Sequence, residues 1–236
     1  AAEEVHSQSA GYFDITLGPA IEAWGFGAGA NGLKAPQAAT LASAMTGVGQ
    51  AKLSVTGHQL RKTDPAVQMY LSSIGKGYGV DFVAKAVAAA GLSDFMVEIG
   101  GDLYVSGKNA DALSWQIGIE SPDLLSREVF QIAKASNLGM ATSGDYRNFF
   151  EENGTKFSHI IDPKTGRPVT HNTASVTVLA ENAMLADAWA TGLLAMGADR
   201  GVELANDLGI AALFIDRGAE GNHIDVATTA FTALQA

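Results

Sequence analysis

Phe95-Met96-Val97-Glu98-Ile99-Gly100-Gly101-Asp102-Leu103-Tyr104-Val105 reads as two β-rich runs on either side of a glycine pair. Aromatic and β-branched residues suit a pleated, half-buried surface, and a Gly-Gly pair between two such runs signals a hairpin. Strands joined this tightly must be antiparallel, because a parallel pair needs a crossover of a dozen or more residues. The sign recurs along the chain. Residues 146–150 and 156–161 flank Asn153-Gly154, and residues 53–60 read as a strand pair turning near Thr56-Gly57. Residues 115–120, 173–179 and 210–215 read as further strands.

Helices separate these groups. Residues 36–45 carry Pro36 at the first helical position and Gly47 beyond the end. In residues 75–90, Val80, Val83, Ala84 and Val87 recur at helical spacing and Gly91 is the stop. A helix rich in small residues covers 182–196 with Gly197 as its cap, and another covers 200–208. Glycine and proline punctuate residues 11–27 too often for one long helix. Hairpins grouped between helices predict an α+β fold with a largely antiparallel sheet, not a doubly wound parallel one. With 236 residues, an even composition and no repeat or linker, one domain over residues 1–236 is expected.

Hydrophobic residues make up 47% of the chain, enough for a sizeable core. The net charge of -10 argues against a nucleic-acid partner, which would need a basic face. An anionic ligand would need a local exception, such as a cation or a cluster of backbone amides. The absence of cysteine rules out disulfides, zinc-thiolate sites and cysteine nucleophiles, and is compatible with an oxidising compartment. No apolar run reaches membrane-spanning length. Ala1-Ala2-Glu3-Glu4-Val5 has neither a basic nor an apolar leader region, so a targeting segment was removed or the chain was cut further in.

Several segments carry candidate chemistry. Asp187 and Thr191 lie four apart on a helix apolar nearly all round, and so share one face. A buried carboxylate with a hydroxyl is a hard-oxygen set that suits Mg²⁺. The residues equally allow a plain hydrogen bond from Thr191 to Asp187. Ser72-Ser73-Ile74-Gly75-Lys76-Gly77-Tyr78-Gly79 places three glycines and a lysine where a loop becomes a helix, which fits either phosphate approach or close helix packing. Ala141-Thr142-Ser143-Gly144-Asp145-Tyr146-Arg147-Asn148 reads as a polar, ligand-facing loop or an ordinary turn. His159, flanked by strand residues ahead of the Asp162-Pro163-Lys164-Thr165-Gly166 turn, is a candidate acid/base or a structural histidine. Gly100-Gly101-Asp102 is a bare turn or a place where a ligand touches backbone. No catalytic-triad order, glycosidase carboxylate pair or metalloprotease helix is visible.

Taken in order, GYFDITLGPAIEAWGFG (11–27), SSIGKGYGVD (72–81), VEIGGDL (97–103), ATSGDYRN (141–148), SHIIDPKTGRPV (158–169), SVTV (175–178) and ADAWATGLLAMG (186–197) resemble the ApbE family of FAD:protein FMN transferases. The resemblance implies one α+β, T-fold-like unit with a bent, mainly antiparallel sheet. It implies Mg²⁺ held by Asp187, Thr191 and the backbone carbonyl of Ser73, where the family usually has alanine. It makes His159 and Asp187 the catalytic residues, with the acid or base role of His159 left open. Lys76, Tyr78, Glu98, Gly100, Gly101, Asp102, Thr142, Ser143, Gly144, Asp145, His159, Ile161 and Asp162 would line the FAD cleft.

The implied reaction moves FMN from FAD to a Thr or Ser hydroxyl of an acceptor protein and releases AMP. The acceptor would be a membrane redox-pump subunit or another respiratory flavoprotein. A Mg²⁺-dependent FAD pyrophosphatase and a non-catalytic FAD-binding maturation factor are the alternatives. The resemblance places the protein at the periplasmic or outer face of the cell envelope, with membrane contact only through an N-terminal anchor. Family members carry early strands ahead of the G-x-F-D block, so the expected sheet lacks these strands and has an open edge.

Overall fold

The computed structural model describes residues 1–27, 32–123, 128–219 and 222–236. Three short helices, α1 (Ala2–Gln8), α2 (Gly18–Ala23) and α3 (Ala38–Met45), precede the hairpin of β1 (Leu53–Thr56) and β2 (Gln59–Lys62). Helix α4 (Gly75–Ala89) leads into the hairpin β3 (Phe95–Ile99) and β4 (Asp102–Ser106), followed by β5 (Trp115–Glu120), β6 (Val129–Ala135) and β7 (Leu138–Gly144). Then come β8 (Phe149–Glu152), β9 (Thr155–Ser158), β10 (Ile161–Asp162), β11 (Arg167–Pro168) and β12 (Thr173–Ala180). Helices α5 (Ala183–Met196) and α6 (Ala198–Asp207), strands β13 (Ala211–Arg217) and β14 (His223–Ala227), and α7 (Thr229–Gln235) complete the order. Among the described residues no helix is long and apolar enough to cross a membrane.

Six strands form the central sheet in the order β14-β13-β12-β7-β4-β3, every neighbour antiparallel. Period-2 alternation sends its side chains into two cores. Val176, Val178, Ala212 and Phe214 join Leu193 and Leu194 of α5 on one face. Leu103, Val105, Met140, Leu179 and Leu213 meet Ile117, Ile119 and Ala133 of the β5–β6 hairpin, and Phe231 of α7, on the other. A third cluster under the β8–β9 hairpin gathers Leu17, Trp24, Leu41 and Ile161, with Trp24 Nε1 donating to the Gly166 carbonyl at 2.7 Å.

Helix α5 holds the layers together, and its first turn is buried against two other elements. Buried N–H groups at a helix start need acceptors. Asp81, on α4, accepts from Ala183 N at 2.8 Å and Met184 N at 2.9 Å, while the cap residue Asn182 accepts from Leu185 N at 2.8 Å. Gly77 makes this approach possible, since a Cβ there would stand 2.2 Å from the Ala183 carbonyl oxygen. At the far end Gly197, at φ +79°, donates to the Leu193 and Leu194 carbonyls and turns the chain into α6.

The expected elements form, with shifted boundaries. Helix α3 starts at Ala38, two residues past Pro36, because Gln37 is extended. The hairpin around Asn153-Gly154 begins at Phe149 rather than residue 146, and Ile161 belongs to a separate short strand. Residues 142–144 are strand, not loop. Thr142 Oγ1 lies 2.8 Å from Thr177 Oγ1 across the β7–β12 pair, and Ser143 Oγ lies 3.2 Å from Thr191 Oγ1 of α5, so a polar run satisfies its hydroxyls against the next strand and the packed helix. Helices α1, α2 and α7 and strands β6, β7, β11 and β14 have no counterpart in the expected elements. The helices and β11 are short, and tertiary packing rather than periodicity fixes them.

Asp81→Ala removes the acceptor for two buried amides at once. The expected loss is about 2–4 kcal/mol in denaturant unfolding, with the slope unchanged.

Candidate active site

Strand register opens the cleft. Along β7, the partner β12 runs the full length from Gly139 to Gly144, but β4 pairs only Leu138, Gly139 and Met140. Beyond Met140 the β4 side of β7 is open, and a cavity of about 980 Å³ lies there, at the upper end of ligand-site volumes. Thr142, Ser143 and Gly144 line it from β7, and Glu98, Gly100 and Gly101 from the β3–β4 turn. That turn needs its glycines, which sit at φ +60° and +94°. Ser73 and Lys76 line it from the start of α4, Asp187 and Thr191 from α5, and His159 and Ile161 from the segment after β9.

Asp187 is 3% exposed, and its Oδ2 accepts from Gly77 N at 3.1 Å. Burial, followed by the charge of Asp102, raises its pKa to about 7, against the pull of Lys76 and the Gly77 N–H. Lys76 Nζ is 2.7 Å from Asp102 Oδ1, while Asp102 Oδ2 is buried without a hydrogen-bond partner. Thr191 pairs with Ser143 and not with Asp187, so the simple Asp187–Thr191 hydrogen bond is not what the fold builds. Two buried carboxylates, one with an unmet oxygen, beside a hydroxyl make a hard-oxygen set that fits Mg²⁺. Asp187 and Thr191 are the side chains that could hold such an ion.

His159 Nδ1 is 3.0 Å from the Asn148 carbonyl, which also accepts the His159 backbone N–H at 3.0 Å. A carbonyl only accepts, so Nδ1 carries the proton and Nε2 keeps its lone pair. Burial lowers the pKa of the ring, so the neutral form is favoured near neutrality.

Four expected residues do not form the cleft wall. Asp102 stands 1% exposed behind Lys76 and anchors it. Asp145 is buried at the end of β7 and pairs with Arg217 and Lys156, so it braces the strand. Tyr78 is 58% exposed, with its ring near Phe82. Asp162 shapes its own turn, accepting from Lys164 N and Thr165 Oγ1 at 2.9 and 3.1 Å. Conversely, the wall includes Tyr12 and Phe26, within the 11–27 motif but not among the expected cleft residues, and Tyr70, outside every motif. Tyr70 lies over Gly18, where a Cβ would stand 1.9 Å from its ring, and its hydroxyl donates to Glu22. Arg147 at the rim pairs with Glu120 of β5.

An antiparallel α+β scaffold with a cleft of about 980 Å³ belongs to the class of proteins able to take a nucleotide-sized ligand. Within that class, a profile described as the ApbE family matches residues 1–214, and the chain belongs to the ApbE family. It is 42% identical over 211 residues to the FAD:protein FMN transferase of Vibrio cholerae serotype O1, covering 89% of this chain and 63% of that protein. It is 43% identical over 216 residues to the Haemophilus influenzae protein of the same name, covering 89% and 62%. The chain therefore spans less than two thirds of the length of these relatives. Among solved structures, the flavin transferase ApbE from Vibrio cholerae superposes with a TM-score of 0.89 at 38% identity, covering 98% of this chain and 74% of that one. The apo Pseudomonas stutzeri flavinyl transferase ApbE gives 0.89 at 37% identity, covering 99% and 72%.

A carboxyl whose folded pKa is raised contributes stability that is full below its unfolded value of 3.8 and lost as pH rises through about 7. Metal-free protein should lose stability over that window by a few kcal/mol, and Asp187→Asn should flatten the decline. Denaturant midpoints measured across the window in chelator check this.

Proposed function

We propose that the chain transfers FMN from FAD to a Thr or Ser hydroxyl of an acceptor protein, releasing AMP. The carrying observation is His159, its Nδ1 held by the Asn148 carbonyl, on the same cleft as the buried Asp187 and its neighbour Thr191. The names of the relatives support the reading.

The cleft holds FAD with its diphosphate at Asp187, Thr191 and Lys76 and near the Gly100-Gly101 backbone. Mg²⁺, when bound at Asp187 and Thr191, supplies charge neutralisation for the diphosphate and the departing AMP. The acceptor hydroxyl oxygen attacks the FMN phosphorus, and its proton passes to Nε2 of His159. The bond from that phosphorus to the bridging oxygen breaks, and AMP leaves with the electron pair. His159 acts here as a base, because its fixed tautomer and lowered pKa keep a lone pair available. Lys76 faces the phosphates while Asp102 limits its travel. Positioning and electrostatics do the rest, as in phosphoryl transfer generally.

We assign the reaction to the periplasmic or outer face of the cell envelope, with a redox-pump subunit or another respiratory flavoprotein as acceptor. A cysteine-free sequence suits an oxidising compartment.

The test is intact mass of a Thr-bearing acceptor after incubation with FAD and Mg²⁺. A gain equal to esterified FMN is expected. His159→Ala should slow it by about 10²–10⁴-fold. Asp187→Ala should abolish both the gain and the rise in melting temperature that Mg²⁺ gives the parent protein. Free FMN and AMP without labelled acceptor would replace transfer by hydrolysis.

The pH profile carries a separate expectation. Burial depresses His159, so kcat/KM should hold as pH falls past the ordinary histidine value of 6.5 and drop only below it. A fall centred at or above 6.5 would remove His159 as the base.

A further inference from the structure

Two cations meet at one lip of the cleft. Lys164 and Arg200 are both exposed, and both are drawn to one ring. Lys164 Nζ lies 4.2 Å and Arg200 Cζ 5.1 Å from the Tyr12 centroid, and Arg200 Nη1 donates to the Tyr12 hydroxyl at 2.5 Å. Tyr12 lines the cleft, as do Pro163, next to Lys164, and His159. The other cations around the cleft have carboxylate partners: Lys76 has Asp102, Arg147 has Glu120, and Lys156 and Arg217 share Asp145. Among the described residues, Lys164 and Arg200 form no ion pair. The carboxylate of Asp162 beside them is occupied by its own turn. In a chain of net charge -10, two exposed cations without an ion-pair partner among the described residues meet on one cleft-lining tyrosine, although Asp199 stands next to Arg200 in the sequence.

We propose that this lip, Tyr12 with Lys164 and Arg200, docks an acidic segment of the acceptor protein next to the hydroxyl that is modified. The inference rests on the transferase reading above. The diphosphate of FAD has its own provision deeper in the cleft, at Lys76, Asp187 and Thr191. Exposed charges at a rim instead select and orient a partner. Stacking on Tyr12 holds two long side chains in place beforehand, so less side-chain freedom is lost on docking.

The test uses two short labelled peptides, one with a Thr flanked by Asp residues and the other with Asn replacing each Asp. Binding to the FAD-loaded chain is followed by fluorescence anisotropy, and FAD affinity by flavin fluorescence. Wild type should bind the Asp peptide about tenfold more tightly at low salt, and less selectively as salt rises. The Lys164→Glu, Arg200→Glu double variant should lose that preference while FAD affinity stays within about twofold. No preference in wild type, or a preference that survives in the variant, overturns the proposal. So does a fall in FAD affinity, which would assign the lip to the dinucleotide. Mass analysis of the same mixtures separates the two readings. FMN transfer indifferent to peptide charge overturns the lip alone, and charge-selective binding with no transfer overturns the transferase reading and the lip's role with it.

Discussion

The two hydrogen bonds from the first turn of α5 to the Asp81 carboxylate fix the relation on which the site depends. They lock α4 to α5 at the point where α5 enters the space between α4 and the sheet. Gly77 allows the contact, and its amide then donates to Asp187 one helical turn further along α5. A structural cap and a functional carboxylate are thus served by residues four apart on one helix. Gly139 of β7 completes the arrangement, because a Cβ there would stand 2.2 Å from Ala183 N. Helix, helix and strand converge on a few backbone atoms, and each of Ser73, Lys76, Asp187 and Ser143 takes its position from that convergence.

The electrostatics follow from the same geometry. Two carboxylates, Asp102 and Asp187, are buried close enough to raise the pKa of one of them, and a single ammonium, Lys76, lies between that cost and the solvent. Buried like charges are stable only with a compensating cation or a proton. Under the proposed function, a divalent ion at Asp187 and Thr191 would answer this need, and an anionic diphosphate would balance the ion's charge. His159 is held by a backbone carbonyl, and burial lowers its pKa against the opposing pull of that carbonyl and of Asp145, which favours the neutral ring.

Local pairing made the β3–β4 hairpin and the helices α4 and α5 legible from the residues alone, since glycine turns, helical spacing and caps are written in adjacent positions. The ordered motifs also named most of the cleft wall. What escaped was set at long range. The polar run at residues 142–144 resembles a loop until Thr177 and Thr191 supply partners from 35 and 48 residues away. Asp145 resembles a ligand residue until Arg217, 72 residues on, claims it. Tyr12 and Tyr70 face the cleft through packing that no period encodes. Strand β14 has largely exposed side chains, and α7 is a single short helix, so neither carries a strong pattern.

The mismatch in length between β4 and β7 has a consequence for how ligand enters. The floor of the cleft is a strand whose opposite edge is fully hydrogen-bonded to β12 in the middle of the sheet. The β7 amides that donate to β12 are protected within the sheet, while those directed at the cleft beyond Met140 have no strand partner. The β12 side of the floor is therefore the less easily opened one. A ligand entering the cleft would pass the turns and helix ends above it, so opening of the site would depend on the surface elements rather than on the sheet.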